Sequence, residues 1–326
     1  MKAIQIHQTG DIDVLKIVDI ERPIPEKTQV LIKTSAIGVT YGDIMVQHGV
    51  YPVMPDLPAT LGFECSGIVE SVGEDVTGLV VGQSVAVLGT MGCYAEYVVA
   101  DATMVMPVPD SIDKDLVAAF PITYLTAYHM LHSMGRIEEG QTVLVYAAAG
   151  GVGTAAIQLA RLAGVNVIGL TSSDDKASYT KQQGAHHVIN YKTEDVVQRV
   201  KELTNGDGVN LVLNSLAGNT LARDFEVLAN MGQIIWFGFA AGYPQENLTE
   251  VVSNNFMKST GIRTFTLYNI FENRELFISS FKTLLDYLNE GKIKPHIHEK
   301  LPLAEVARAH QLMESSVVKG RLVLKP

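Results

Sequence analysis

The sequence predicts an α/β protein: a doubly wound parallel sheet inserted into a β-rich domain. Three observations predict it. Residues 1–120 hold short β-branched or aromatic runs punctuated by glycine and proline, residues 121–265 alternate apolar runs with helically spaced segments, and residues 266–326 return to mixed structure. A chain of 326 residues is long enough for two domains at about 150 residues each. The tail is expected to complete the first domain, giving 1–120 plus 266–326 as one unit and 121–265 as the other.

In the first domain Gln29–Lys33, Gly67–Val72, Ser84–Val87 and Tyr94–Val99 read as strands, a texture that suits a small barrel or sandwich with working loops. A helix is expected over roughly Ile122–Ser133. Thr142–Tyr146 then reads as a strand buried on both faces. Val152–Ala163 is helical, with Val152, Ala155, Ala156, Leu159, Ala160 and Ala163 at the right spacing. Val165–Leu170 is a second buried strand. Lys176–Gln183 follows as a helix, His187–Asn190 as a strand, Glu194–Leu203 as a helix, Val209–Asn214 as a strand, Leu221–Leu228 as a helix and Gly232–Phe237 as a strand. Strands joined through helices need right-handed crossovers, so the sheet is expected to be parallel. In the tail, Arg274–Gly291 and Leu303–Met313 read as helices and Arg321–Leu324 as a last strand.

Composition removes several classes of function. Lysine plus arginine is 25 against 35 for aspartate plus glutamate, a net charge of −10, whereas a nucleic-acid protein needs a basic face. Two cysteines, Cys65 and Cys93, build neither a disulfide scaffold nor a four-cysteine zinc site. The N-terminus lacks the apolar stretch of a signal peptide and no run is long enough for a bilayer. A cytoplasmic protein with no nucleic-acid and no membrane partner is expected.

The segment Ala148-Ala149-Gly150-Gly151-Val152-Gly153 follows a strand and opens a helix. It fits G-x-G-x-x-G with Ala148 at the first glycine position. Gly150 lets backbone approach a pyrophosphate, and Gly153 lets the helix close on the strand. The helix start, with Ala149, Gly151 and Val152, then offers N–H groups and partial positive charge to an anion. Ordinary tight turns can carry such glycines, but here strand, helix and second strand come in the required order. The second strand ends Thr171-Ser172-Ser173, without the acid that holds an NAD ribose. The hydroxyls of Ser172 and Ser173, the ammonium of Lys176 and the hydroxyl of Tyr191 could hold a 2′-phosphate instead. Asp174 and Asp175 would repel one if they faced it, and Lys176 could equally sit on a solvated helix face. NADP(H) is the expected cofactor.

The chain resembles a zinc-free medium-chain dehydrogenase/reductase of the quinone oxidoreductase group over nearly its whole length. The resemblance rests on Ala36-Ile37-Gly38-Val39-Thr40-Tyr41-Gly42-Asp43, Gly49-Val50-Tyr51-Pro52, Leu61-Gly62-Phe63-Glu64, Gly67-Ile68-Val69, Val81-Gly82-Gln83-Ser84-Val85, Ala147–Gly153, Gly184-Ala185 and Ile189-Asn190-Tyr191. It implies a GroES-like domain around an inserted Rossmann domain, an active site in the cleft between them, and homodimers formed by pairing edge strands. Zinc members of the family carry a cysteine near the Thr40 position and a histidine at the Phe63 position; a hydroxyl and a phenyl ring are no zinc site, so no metal is expected. The pairs His186-His187 and His296-x-His298 read as strand or loop residues rather than ligands. By family position, Thr126, Phe237, Gly238 and Phe239 line the nicotinamide side. Asn214 joins the cofactor set through Val212-Leu213-Asn214-Ser215-Leu216-Ala217-Gly218, which resembles polyketide enoyl reductases.

Without zinc there is no Lewis acid to polarise an alcohol or simple ketone. Hydride then needs an acceptor that is already electrophilic, a quinone or a conjugated enone or enoyl thioester, held in place with water excluded. Tyr41, Thr40 and Tyr51 are the candidate polar groups. Zinc-free quinone reductases commonly have Asn at the Thr40 position, a departure here. Polyketide enoyl reductases can have Tyr at the Tyr41 position, where it is a proposed proton donor. Tyr41 as a packed wall residue is the plainer reading, and Tyr51 is a wall or gate. Cys65 reads as a buried small hydrophobe. The expected activity is NADPH-dependent reduction of a small-molecule electrophile such as a quinone. The alternatives are an enoyl or 2-alkenal reductase acting on an activated C=C bond, and a non-catalytic NADPH-binding protein.

Overall fold

Strand β1 (Gln29–Gly38) organises the first part of the chain. It pairs antiparallel with the strand Tyr97–Asp101, with the C-terminal strand Arg321–Lys325 and with β2 (Glu64–Val72). These belong to a seven-stranded sheet, and a three-stranded sheet sets Lys2–Ile6 between Lys16–Asp19 and Ala59–Thr60. Val30, Ile32, Ile37, Val69, Val85, Val87, Leu322 and Leu324 fill the core. Ala36, Ala118, Ala119 and Val323 form a second cluster, where small side chains let the short helix Lys114–Ala118 lie close to the sheet. The computed structural model describes residues 1–89 and 91–326, in two compact units. The first comprises Met1–Ile122, Phe271–Asn289 and Lys294–Pro326; the second comprises Thr123–Ile270 and Glu290–Ile293.

Between β1 and β2 runs α1 (Tyr41–His48), a helix that the apolar pattern of the sequence does not announce. A local signal is nonetheless present: Thr40-x-x-Asp43 is a capping box. The Thr40 hydroxyl accepts from Asp43 N–H at 3.2 Å and the Asp43 carboxylate accepts from Thr40 N–H at 2.7 Å.

The second unit is a six-stranded, all-parallel sheet. In chain order it holds β3 (Thr142–Val145), α2 (Gly151–Leu162), β4 (Asn166–Thr171), α3 (Asp174–Gln182), β5 (His187–Asn190), the helix Val196–Leu203, β6 (Val209–Asn214), α4 (Leu221–Val227), β7 (Leu228–Trp236), the helix Leu248–Asn254 and β8 (Gly261–Thr264). Its spatial order is β5-β4-β3-β6-β7-β8. The order reverses between β3 and β6, and in open sheets of this kind ligands bind at the carboxyl ends of the strands beside that reversal. β3, β4 and β6 are apolar on both faces because helices cover both.

The sequence places these strands and helices to within a few residues, with two informative departures. The expected helix Ile122–Ser133 is α-helical only over Pro121–Tyr128; His129–Met134 widens into a π-turn that closes with Gly135 N–H on the Met130 carbonyl at 2.9 Å. The strand expected from Gly232 begins at Leu228, because Val209 pairs with Leu228 before the register shifts to Leu211 opposite Gln233. The short strand β8 carries too little apolar pattern to be read in advance.

Candidate active site

In the second unit the expected cofactor residues other than Thr126 lie at or just beyond the carboxyl ends of successive strands. After β3 the chain turns through Ala147 in the left-handed region (φ 46°) and enters α2 at Gly150. No side chain caps this helix, so its start is built of backbone alone. At Gly153 a Cβ would lie 2.4 Å from the Ala147 carbonyl oxygen and 2.7 Å from Ala148 Cα, so only glycine lets α2 seat this close. Ala149 is buried, and Gly150, Gly151 and Val152 are half-buried along the same turn.

At the end of β4, Ser173 caps α3, its hydroxyl oxygen accepting Lys176 N–H at 3.3 Å. Its hydroxyl hydrogen stays available to an anion. Ser172 and Lys176 are half-buried beside it, and the exposed Tyr191 follows β5, held by its N–H on the Thr171 carbonyl at 3.0 Å. Asp174 is exposed and accepts from Asn190 Nδ2 at 3.3 Å. The buried hydroxyls of Thr171 and Ser215, at the carboxyl ends of β4 and β6, have no hydrogen-bond partner. A glycine turn without a cap, together with these unpartnered hydroxyls, is a donor set that fits a dinucleotide.

Asn214 does different work from the one expected of it. Its Oδ1 accepts Leu216 N–H at 2.8 Å and Ala217 N–H at 2.9 Å, and its Nδ2 donates to Thr220 Oγ1 at 2.7 Å and to Asp224. The side chain is fully used in shaping the turn after β6. Asp224, to which no sequence motif points, also accepts from the Tyr146 hydroxyl, and that hydroxyl accepts from Arg223 Nη2 at 2.7 Å. Burial pushes the Asp224 carboxyl up to about 7 against the pull of Tyr146, Asn214 and Arg223. The network ties Tyr146, just before the glycine turn, to the turn after β6. Phe237, Gly238 and Phe239 follow β7; Trp236 donates its indole N–H to the Gly238 carbonyl at 2.6 Å and packs edge-on to Phe239. Thr126 is buried in the helix Pro121–Tyr128.

In the first unit Thr40, Tyr51 and Phe63 come together. Phe63 packs on Tyr51 with ring centroids 5.1 Å apart. A Cβ on Gly42 would meet Phe63 Cε2 at 3.1 Å and Thr40 Oγ1 at 3.3 Å, so the absence of a side chain there leaves both uncovered by it. Thr40 is buried and hydrogen-bonded to Asp43, whereas Tyr41 is 42% exposed. Burial and the negative charge of Glu314 raise the Tyr41 hydroxyl pKa, so it stays protonated. Glu64 is fully buried, ion-paired to Arg321, and accepts Ile122 N–H at 2.9 Å. Cys65 is fully buried.

The family model described as alcohol dehydrogenase GroES-like domain matches residues 26–110, and the one described as zinc-binding dehydrogenase matches residues 151–289. Quinone oxidoreductase of Lama guanicoe is 33% identical over 327 residues, covering 99% of this chain and 97% of the relative. The chain belongs to the quinone oxidoreductase group of the medium-chain dehydrogenases/reductases. The solved structure of Escherichia coli quinone oxidoreductase complexed with NADPH matches this member of the group at a TM-score of 0.96 and 30% identity, over 100% of both chains. The CurK enoyl reductase structure matches at 0.89 and 27% identity, over 99% of this chain and 98% of that one. The chain spans only 14% of a phenolphthiocerol/phthiocerol polyketide synthase of Mycobacterium tuberculosis, to which it is 31% identical over 325 residues. It spans 65% of the synaptic vesicle membrane protein VAT-1 homolog of Danio rerio. Among the described residues no three His, Cys, Asp or Glu side chains gather to hold a metal.

Proposed function

We propose that the chain is an NADPH-dependent reductase of quinones or related conjugated electrophiles that works without a metal. The uncapped glycine start of α2 carries this reading. It lies where the strand order reverses, beside a second strand that ends in hydroxyls rather than an acid. NADPH supplies the hydride. The amides of Gly150–Gly153 hold the pyrophosphate, and Ser172, Ser173, Lys176 and Tyr191 hold the 2′-phosphate. Thr126 and Phe237–Phe239 face the nicotinamide. Tyr51 and Phe63 supply an apolar wall that excludes water, and in the reduction of a C=C bond the protonated Tyr41 hydroxyl hydrogen-bonds the enolate that develops. The similarity to proteins named quinone oxidoreductase, one of them complexed with NADPH, supports the same reading.

The second reading, reduction of an activated C=C bond, is favoured by Tyr41 and by the likeness to an enoyl reductase. NADPH oxidation measured with a panel of 1,4-quinones and a panel of enones and enoyl thioesters separates the two. Tyr41→Phe slows enoyl reduction by about tenfold or more and leaves quinone reduction within about twofold. Flat traces with every acceptor, beside clear NADPH binding, would instead point to a non-catalytic NADPH-binding protein.

The proposal includes a cytoplasmic homodimer. β8 lies at the edge of its sheet, where a second copy could pair, and the preceding Phe256 and Met257 are exposed. Light scattering at twice the monomer mass is the expected result. Among the described residues no helix is long and apolar enough to cross a membrane.

A further inference from the structure

We infer that Asp224 is a positioning residue for NADPH. Through Tyr146 and Asn214 it fixes the paired turns after β6 and β7 beside the glycine turn, and so sets how tightly the nicotinamide half of the cofactor is held. The cofactor's part in this rests on the placement of Phe237–Phe239 at the nicotinamide proposed above; the brace itself is a property of the unliganded protein. All of its members lie in the second unit. Asn214 and Asp224 are fully buried, and Tyr146 and Thr220 are buried beside them.

The direction of every hydrogen bond in the brace follows from its donors. The backbone amides of Leu216 and Ala217 point at one end of the Asn214 carboxamide, at 2.8 and 2.9 Å, so that end is the oxygen. Its Nδ2 then has two hydrogens and uses both, one on Thr220 Oγ1 at 2.7 Å and one on Asp224 Oδ2 at 2.5 Å. The Thr220 hydroxyl passes its own hydrogen to the Ala217 carbonyl at 2.7 Å. On the other side Arg223 Nη2 donates to the Tyr146 oxygen at 2.7 Å, which leaves the Tyr146 hydrogen for Asp224 Oδ1 at 2.5 Å. Asp224 thus accepts on each of its oxygens, one bond from the end of β6 and one from the residue after β3.

The turn after β6 needs to be held. Ala217 stands in the left-handed region at φ 54°, and Gly218 follows at φ 55°. A side chain makes that backbone costly, so it persists where its surroundings fix it. Here Asn214 takes the Ala217 amide and Thr220 takes its carbonyl. The turn after β7 is laced to the same segment. Ala240 N–H donates to the Ser215 carbonyl at 3.2 Å, Ala241 N–H to the Leu216 carbonyl at 2.9 Å, and Gly218 N–H to the Gly242 carbonyl at 2.9 Å. A Cβ on Gly238 would stand 2.7 Å from the Ser215 carbonyl oxygen, so the two turns touch through bare backbone. Phe237–Phe239 therefore follow Asn214.

The glycine turn has support of its own. Ala148 N–H donates to the Leu170 carbonyl at 3.1 Å, Gly150 N–H donates to the Ala147 carbonyl at 2.8 Å, and Gly153 lies against the Ala147 and Ala148 backbone. Cutting the brace leaves that side in place and loosens the turns after β6 and β7. The buried Ser215 hydroxyl, without a partner in the protein, belongs to the loosened segment and is open to a ligand atom. Asp224 bonds to both sides at once, so its loss uncouples the two halves of the seat.

The test begins on the protein without cofactor. Asp224→Leu is expected to speed amide hydrogen exchange at Leu216 and Ala217 by about tenfold or more and to leave Ala148 and Gly150 within about twofold. Unchanged exchange at Leu216 and Ala217 would overturn the brace. Titration calorimetry then compares NADPH with adenosine 2′,5′-bisphosphate, which lacks the nicotinamide half. Asp224→Leu and Tyr146→Phe are each expected to weaken NADPH by about fivefold or more and the bisphosphate by no more than about twofold. In Asp224→Asn the carboxamide keeps an oxygen for Asn214 Nδ2 and an N–H for the Tyr146 oxygen, so NADPH affinity is expected to stay within about threefold. A folded Tyr146→Phe that binds NADPH unchanged, or variants that lose both ligands equally, would overturn the positioning role. Should the unmodified protein bind NADPH no more tightly than the bisphosphate, the nicotinamide placement fails, and the exchange rates still judge the brace.

Discussion

The two helix starts that matter, α1 in the first unit and α2 in the second, are built in opposite ways. α1 closes its own first turn with the Thr40–Asp43 capping box, and both capping side chains are buried. α2 begins on Gly150 with no capping side chain. At α1 the capping box engages the N–H groups of Thr40 and Asp43 and sets a hydroxyl and a carboxyl at the helix start. An uncapped start keeps its amides and partial positive charge for a ligand.

The contrast breaks most easily on the side built of buried charge. Arg321→Met strands the fully buried Glu64 carboxylate and is expected to cost about 3–5 kcal/mol, read as a fall in the urea midpoint. Gly153→Val tests the side built of backbone. Its added carbons meet the Ala147 and Ala148 backbone, so a loss of about 1–3 kcal/mol is expected together with loss of NADPH binding by titration calorimetry. The two units should converge in their response to pH, because each buries an acid. Asp43 is raised to about 6 and Asp224 to about 7 from an ordinary 3.8. The folded chain therefore favours the protonated forms. Their contribution is complete below about pH 4 and is lost as the pH rises through 6 and 7. The urea midpoint is expected to fall across that range, and to fall less steeply in Asp224→Asn. Ser172→Asp sharpens the anion side alone: the KM for NADPH is expected to rise about tenfold or more, with little change for NADH. At the small end, Lys27→Ala removes a solvent-exposed pair with Glu74 and should change stability by no more than about 0.5 kcal/mol.

How much of this is legible in the sequence follows the same division. The second unit announces itself because β3, β4 and β6 are buried on both faces and so are continuously apolar. Its glycine turn is equally plain, since glycine is the only residue that fits at Gly153. The likeness to the quinone oxidoreductase group is legible from motifs spread along the chain. The first unit shows only a β-rich texture. Its α1 escapes a reading by pattern because the capping box opens a helix with Gly42 inside it and little apolar periodicity. Asn214 shows the limit of reasoning by position: its place at the end of β6 suits a cofactor contact, but its hydrogen bonds are spent on the turn and on Asp224.

The most direct measurement uses the single tryptophan, Trp236, at the end of β7 beside the Gly238 turn. Its fluorescence and the protein's Tm are followed during titration with NADPH, with NADH and with NADPH on Gly153→Val. NADPH is predicted to quench Trp236 and raise Tm, with NADH binding about tenfold or more weaker and the variant not responding. A protein whose fluorescence and Tm ignore both nucleotides, or a Gly153→Val variant that binds NADPH as tightly as the unmodified chain, would contradict the account.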